Sequence, residues 1–169
     1  MTIQEFCNWL ARTPVSVGLQ STPWAIPAVQ TVHILCIAIV VTYNGMLHLR
    51  LMGVAGKSRT MAQMAGDFMP WIWGALAVLA ITGVTMIIGE PARELTNLVF
   101  WLKMSMLVPV VGLTLFLQRV IKRDAVYWEA TAARRKSAKV FAIVSLFLWV
   151  SILAAAAGSP TSNLADAPT

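Results

Sequence analysis

The chain has 169 residues, of which 58% are apolar and only 12% charged, and its mean hydropathy is +0.72. A typical globular chain is roughly 25% charged, so this one has about half the usual means of covering itself with water-compatible surface. That excludes an ordinary soluble domain, a disordered chain and, despite the formal charge of +6, a nucleic-acid binder. A spanning helix needs ~20 apolar residues, so the length accommodates about four spans and no soluble catalytic domain beside them. Two cysteines do not make a disulfide scaffold.

Ahead of the first span, Ile3, Phe6, Cys7 and Leu10 recur at i, i+3, i+4 and i+7, a single apolar stripe. Thr2 with Glu5 three residues on has the pattern of a capping box. Residues 2–12 therefore read as a short amphipathic helix lying on the outer membrane face. It lacks the basic start and apolar core of a cleavable signal peptide. Spans follow at 24–49, 68–88, 98–120 and 140–158. Pro23 and Pro27 open the first, Pro70 opens the second, and Gly89-Glu90-Pro91 closes it. Trp24, Trp71, Trp73, Trp101 and Trp128 fall near span ends, as an aromatic belt requires. The fold class is thus an all-α integral membrane four-helix bundle with an N-terminal interfacial helix, forming one domain over 1–158. The Ser/Pro/Thr/Asp-rich tail 159–169 reads as disordered.

Orientation follows from the basic residues. Arg50, Lys57 and Arg59 follow the first span. Arg119, Lys122, Arg123, Arg134, Arg135, Lys136 and Lys139 surround the loop after the third. Ten of the thirteen Lys and Arg thereby lie on one side, which the positive-inside rule makes cytoplasmic. Both termini are then periplasmic and the location is the bacterial inner membrane. The basic loop, with Tyr127, Trp128 and Glu129 at its middle, reads as a lipid-headgroup anchor or as a helical extension of the third span.

Polar groups at depth carry the functional information, because each needs a partner in hydrocarbon. His33 lies about a third of the way into the first span from the outer side. Lys103 lies at a similar depth in the third. His48 is near the cytoplasmic end of the first span, with Arg50 beside it. The two histidines are ~22 Å apart along the axis and ~60° apart in rotation. Stacked on one helix face, they resemble the pairs that ligate two haems in membrane b-type cytochromes. With only two histidines, ligation by two of them within one bundle level is excluded. That leaves His with a methionine (Met86, Met104 or Met106), His with an open site, or His shared between copies. The structural alternatives stand beside these. Histidine also hydrogen-bonds across helices for packing alone, His48 suits headgroup contact, and Lys103 suits snorkelling to the outer surface. His33-x-x-Cys36 with methionines would suit a soft metal, although a buried free cysteine also serves as plain core. The methionines, Met61 and Met64 of the cytoplasmic loop apart, are not clustered and read as filler. Gly74, Ala77, Ala80 and Gly83 of the second span, and Ala154 with Gly158 of the fourth, permit close helix contact and oligomerisation. Tyr43, Asn44, Thr82 and Thr85 are expected to satisfy one another across helices. Nucleotide loops, zinc spacings and nucleophile elbows do not occur.

Several runs together resemble an uncharacterised family of small four-helix bacterial inner-membrane proteins. They are Trp24-Ala-Ile-Pro27, Val32-His33-Ile34, Leu49-Arg50-Leu51-Met52-Gly53, Met69-Pro70-Trp71, Thr82-Gly83, Asn97 and Phe100-Trp101-Leu102-Lys103-Met104. More distantly, the early histidine, the arginine at the helix end and the Trp/Lys of the third helix are similar to two groups. These are the HemJ-type protoporphyrinogen oxidases and the CopD-type copper-resistance proteins. The resemblance implies His33 as a haem ligand. Arg50 and Lys103 then partner propionates, a substrate carboxylate or a quinone. The HemJ-type histidine run after the lysine is replaced by Met104-Ser-Met-Leu-Val-Pro109, so protoporphyrinogen oxidase activity is not implied.

The leading expectation is a haem-b-binding redox or electron-transfer component, with His33 the metal ligand and Lys103, Arg50 and His48 the further cofactor-binding residues. A cofactor-free accessory or scaffold subunit is the alternative, and a copper-related membrane protein the third. The partners are the lipid bilayer, further copies or a larger membrane complex, and a quinone or periplasmic redox protein.

Overall fold

A computed structural model of the chain describes residues 2–56, 58–124 and 132–157. Among these the protein is helical throughout, without a strand. The elements are α1 (Ile3–Ala11), α2 (Pro14–Gln20), α3 (Ala25–Leu51), α4 (Met61–Gly89), α5 (Pro91–Leu95), α6 (Leu98–Arg123) and α7 (Ala132–Ala157). Four stretches are long and apolar enough to cross a membrane: Ala25–Leu51, Met61–Gly89, Leu98–Arg123 and Arg134–Ala154. The tail 159–169, Gly158 and the Tyr127-Trp128-Glu129 segment lie outside the described residues.

Local chemistry sets most helix starts. Thr2 and Glu5 form the expected reciprocal capping box at α1, each side chain accepting from the other's backbone N–H. Asn97 caps α6 by accepting from the N–H of Val99 at 2.9 Å. The second span starts earlier than 68. A capping box of Thr60 with Gln63 opens α4 at Met61, and Pro70 lies inside the helix rather than at its start. Its missing N–H leaves one intrahelical bond unmade. The fourth span also starts earlier than 140: Arg134, Arg135, Lys136 and Lys139 sit on α7, not on an extension of the third span. Two short helices escaped the sequence reading. In α2, Thr13 is the N-cap and Pro14 the first residue; in α5, Pro91 takes that place after the corner at Glu90.

The long helices alternate in direction, with α3 and α4 sharing the most extensive contact. The α7 helix packs on α3 and α6, and α6 reaches α4. Two apolar clusters hold them. Leu47, Met61, Met64, Ala65, Met69, Ile72, Leu117 and Ile121 form one. Cys36, Val40, Ala75, Val110 and Trp149 form the other. Met61 and Met64 are therefore core residues of α4, not loop residues. Unbranched methionines suit such a site because they fill irregular gaps between helices. The connection from α3 to α4 turns through Gly56, whose φ of +69° only glycine adopts cheaply. A Cβ there would come within 2.9 Å of Met64 Sδ.

Core packing of α3 and α6 is confined to one half of each helix. No side chain from Ala25 to Leu35 of α3, nor from Leu98 to Pro109 of α6, is buried. Over that half, α1, α2 and α5 gather at the exposed end of α4. Ser16 Oγ donates to the carbonyl of Ile88 at 2.6 Å, and Gln20 Nε2 donates to that of Gly89 at 3.0 Å. Cys7, buried, approaches Pro91 O at 3.5 Å. A helix end leaves four carbonyls without intrahelical donors, and α2 meets that need for Ile88 and Gly89. The stripe of α1 is thus partly spent on protein contact with α5: Cys7 is buried while Ile3 and Phe6 stay exposed.

The long helices turn large apolar side chains outward, among them Ile34, Leu35, Ile81, Val108, Phe147 and Val150. An apolar belt of that extent has no place in water. Of the small residues in α4, Gly74, Ala77 and Ala80 face outward, whereas Gly83 and Gly89 approach α3: a Cβ at Gly83 would lie 3.7 Å from His33 Cε1, and one at Gly89 would collide with Ile26.

Candidate functional site

His33 stands at the α3–α4 interface in the loosely packed half. Its Nδ1 lies 2.7 Å from Thr82 Oγ1. The Thr82 hydroxyl also lies 2.8 Å from Val78 O; when it donates there it accepts from His33, with the proton on Nδ1. The lone pair is then on Nε2. The ring is half-buried, and Gly83 leaves room for its edge against α4. Thr82 itself is buried. Among the described residues, Lys103 makes no hydrogen bond or ion pair. Trp101 and Met104 flank Lys103 on α6, both exposed, and the Trp101 indole donates to Leu95 O at 2.9 Å.

His48 and Arg50 lie at the opposite end of α3, so the four candidate residues form two groups rather than one. His48 is 1% exposed, which corrects the expectation of headgroup contact. Its Nδ1 donates to Asn44 O one turn back, at 2.5 Å, and its ring stacks on Phe141 of α7. His33 faces α4 and His48 faces α7, so the two do not share a helix face. The ~60° offset between them is enough to direct them at different neighbours. Arg50 donates from Nε to Arg59 O at 3.0 Å, closing the α3–α4 connection, and Arg59 pairs with Asp67 at 2.9 Å.

The remaining polar groups pair differently from the expectation. Thr82 serves His33, and Asn44 Oδ1 accepts from Thr114 Oγ1 of α6 at 3.5 Å. Thr85 bonds its own helix, and Tyr43 packs on Phe68. What sequence reasoning missed was Thr114, Ser145 and Trp149 as buried members of the polar interior. A threonine, serine or tryptophan in an apolar span gives no sign of which way it points without the neighbouring helix. Cys36 is buried in the apolar cluster with Val40 and Trp149. Among the described residues, no three of His, Cys, Asp and Glu gather as a metal-holding group.

A haem fits the donors at His33 in one respect: an imidazole with Nδ1 engaged by a hydroxyl and Nε2 free is the form that ligates a metal. Methionines supply thioethers on the flanking helices, Met86 on α4 and Met104 and Met106 on α6. No curated protein and no solved structure matches the chain. A family model matches residues 18–160, which take in all four long helices and every candidate residue named above. The chain belongs to that family, described as a family of unknown function (DUF6644).

Proposed function

We propose that the protein crosses the bacterial inner membrane four times as a four-helix bundle, with both termini periplasmic. In its outer half it binds haem b through His33 as an electron-transfer component. The outward apolar belt supports insertion, and the basic residues gathered at the C-terminal ends of α3 and α6, after α3 and at the start of α7 support the orientation. On this reading α1, α2 and α5 lie at the periplasmic surface, over the half where the helices pack least.

One observation carries the haem reading: Thr82 Oγ1 engages His33 Nδ1 at 2.7 Å, which leaves Nε2 for a metal. When bound, haem supplies a one-electron couple. His33 would ligate it through Nε2, and Thr82 would orient the ring. Lys103 would favour carboxylate groups near the same depth, as the distant resemblance to HemJ-type proteins also implies. Arg50 and His48, at the far end, take no part in that site.

The test is haem content. Protein purified in mild detergent from cells supplied with a haem precursor is expected to carry haem in stoichiometric amount, and His33→Ala protein is expected to carry almost none. Haem retained in full by the variant would overturn the assignment.

The outward stripe of Gly74, Ala77 and Ala80 favours a second reading, a cofactor-free accessory subunit that meets a partner helix at that face. In that case His33–Thr82 is a packing bond only, and the purified protein is colourless.

A further inference from the structure

The interior between α3, α6 and α7 contains a second polar site. Among the described residues, three side-chain atoms are buried without any hydrogen-bond partner: His48 Nε2, Ser145 Oγ and Trp149 Nε1. Their residues are 1%, 0% and 4% exposed. A buried polar atom left dry loses its hydration with no return, and native interiors rarely tolerate that. Three such atoms on one interface are too many for isolated defects.

They are also arranged in order. Phe141, Ser145 and Trp149 fall on successive turns of one face of α7, about 6 Å apart along its axis. On the antiparallel α3, His48 stacks on Phe141, and Trp149 packs with Val40 and Cys36. Between those two levels lies Asn44, also fully buried and joined at 3.5 Å to Thr114. The Ser145 hydroxyl lacks even the bond to its own helix that a buried serine ordinarily makes.

The unmet valences identify what belongs there. With Nδ1–H given to Asn44 O, His48 Nε2 is an acceptor; the Trp149 indole is a donor; the Ser145 hydroxyl is both. No carboxylate or cation belongs to this set, so neither a metal ion nor an anion is matched by it. Water donates and accepts, and one water bridging two groups with bonds of about 2.8 Å spans nearly one step of the row. We propose that the α3–α7 interface, closed by α6, encloses a short file of internal water molecules bonded to His48 Nε2, Ser145 Oγ and Trp149 Nε1. The file runs from the His48 level to the Trp149 level, and so ends beside Cys36, one turn of α3 from His33. It does not depend on the haem reading.

The indole N–H of Trp149 reports on it. The full chain, labelled with 15N-tryptophan in detergent micelles, is examined for magnetisation transfer between each indole N–H and water. The Trp149 resonance is identified by its loss in Trp149→Phe or, should that variant not fold, by through-bond assignment of the unmodified protein. The expected result is a cross-peak from long-lived water at Trp149, together with slow N–H exchange that sets it apart from exposed Trp9, Trp24 and Trp71. Ser145→Val, which removes the hydroxyl and fills its space, is expected to reduce that cross-peak severalfold. A slowly exchanging Trp149 indole with no water cross-peak in the unmodified protein would overturn the proposal, as would a cross-peak unchanged in Ser145→Val.

Discussion

His33 on α3 and Thr82 on α4 are joined by a bond of 2.7 Å, and the Thr82 hydroxyl also lies 2.8 Å from Val78 O. The bond occupies Nδ1 of the imidazole, and it ties the two most extensively packed helices together in the half where burial is otherwise sparse. Thr82→Val preserves shape and removes the acceptor. Loss of such an orienting partner typically costs about 10–100-fold in metal affinity, so haem affinity measured by titration should fall by that order while Thr82→Ser stays near wild type. Equal affinity in Thr82→Val and the parent protein would reduce the bond to packing.

The contacts of α2 with the end of α4 make a stability prediction. Ser16 is fully buried and donates to Ile88 O, whereas Ser21 bonds Gly18 O at an exposed site. Ser16→Ala should therefore destabilise the protein by about 1 kcal/mol, and Ser21→Ala by much less. Thermal unfolding in detergent checks the pair, and equal effects would show that α2 does not anchor α4.

Gly56 offers a sharper contrast. Its φ of +69° and the nearness of Met64 Sδ leave no place for a side chain, while a Cβ at Gly74 meets nothing within 4 Å. Gly56→Ala should cost about 1–2 kcal/mol of stability. Gly74→Ala should be neutral or slightly stabilising in the isolated protein. If Gly74→Leu leaves folding intact yet abolishes co-purification of another chain, the outward stripe is a partner surface.

Orientation is open to labelling, because both native cysteines are buried. A cysteine placed at exposed Val15 should react with an impermeant thiol reagent in intact cells. One placed at Lys136 on α7 should react only after the membrane is opened. The reverse pattern would put His33 and Lys103 toward the cytoplasm.

Much of the architecture was legible because hydropathy and capping act locally. The third span's start at Leu98 and the Gly89-Glu90-Pro91 corner delimit helices in the sequence as they do in the structure. The start of α4 was misread because Pro70 carried more weight than the Thr60–Gln63 capping box, although a proline within a helix costs only one bond and a bend where neighbours support it. The short α2 and α5 had visible signals, Thr13-Pro14 and Glu90-Pro91, but too few residues for a period to register. The placement of His33 and His48 toward opposite ends of α3 followed from counting turns. The burial of His48 did not, because its position near a span end says nothing of Phe141 arriving from a helix more than ninety residues away.

The most direct test of the central claim is the optical spectrum of the purified protein, air-oxidised and then dithionite-reduced, for the parent chain and His33→Ala. The account predicts a Soret band in the parent, with α and β bands that sharpen on reduction, and their loss in the variant. A parent protein without a Soret band, from cells able to supply haem, would contradict it and leave His33–Thr82 as a bond between helices.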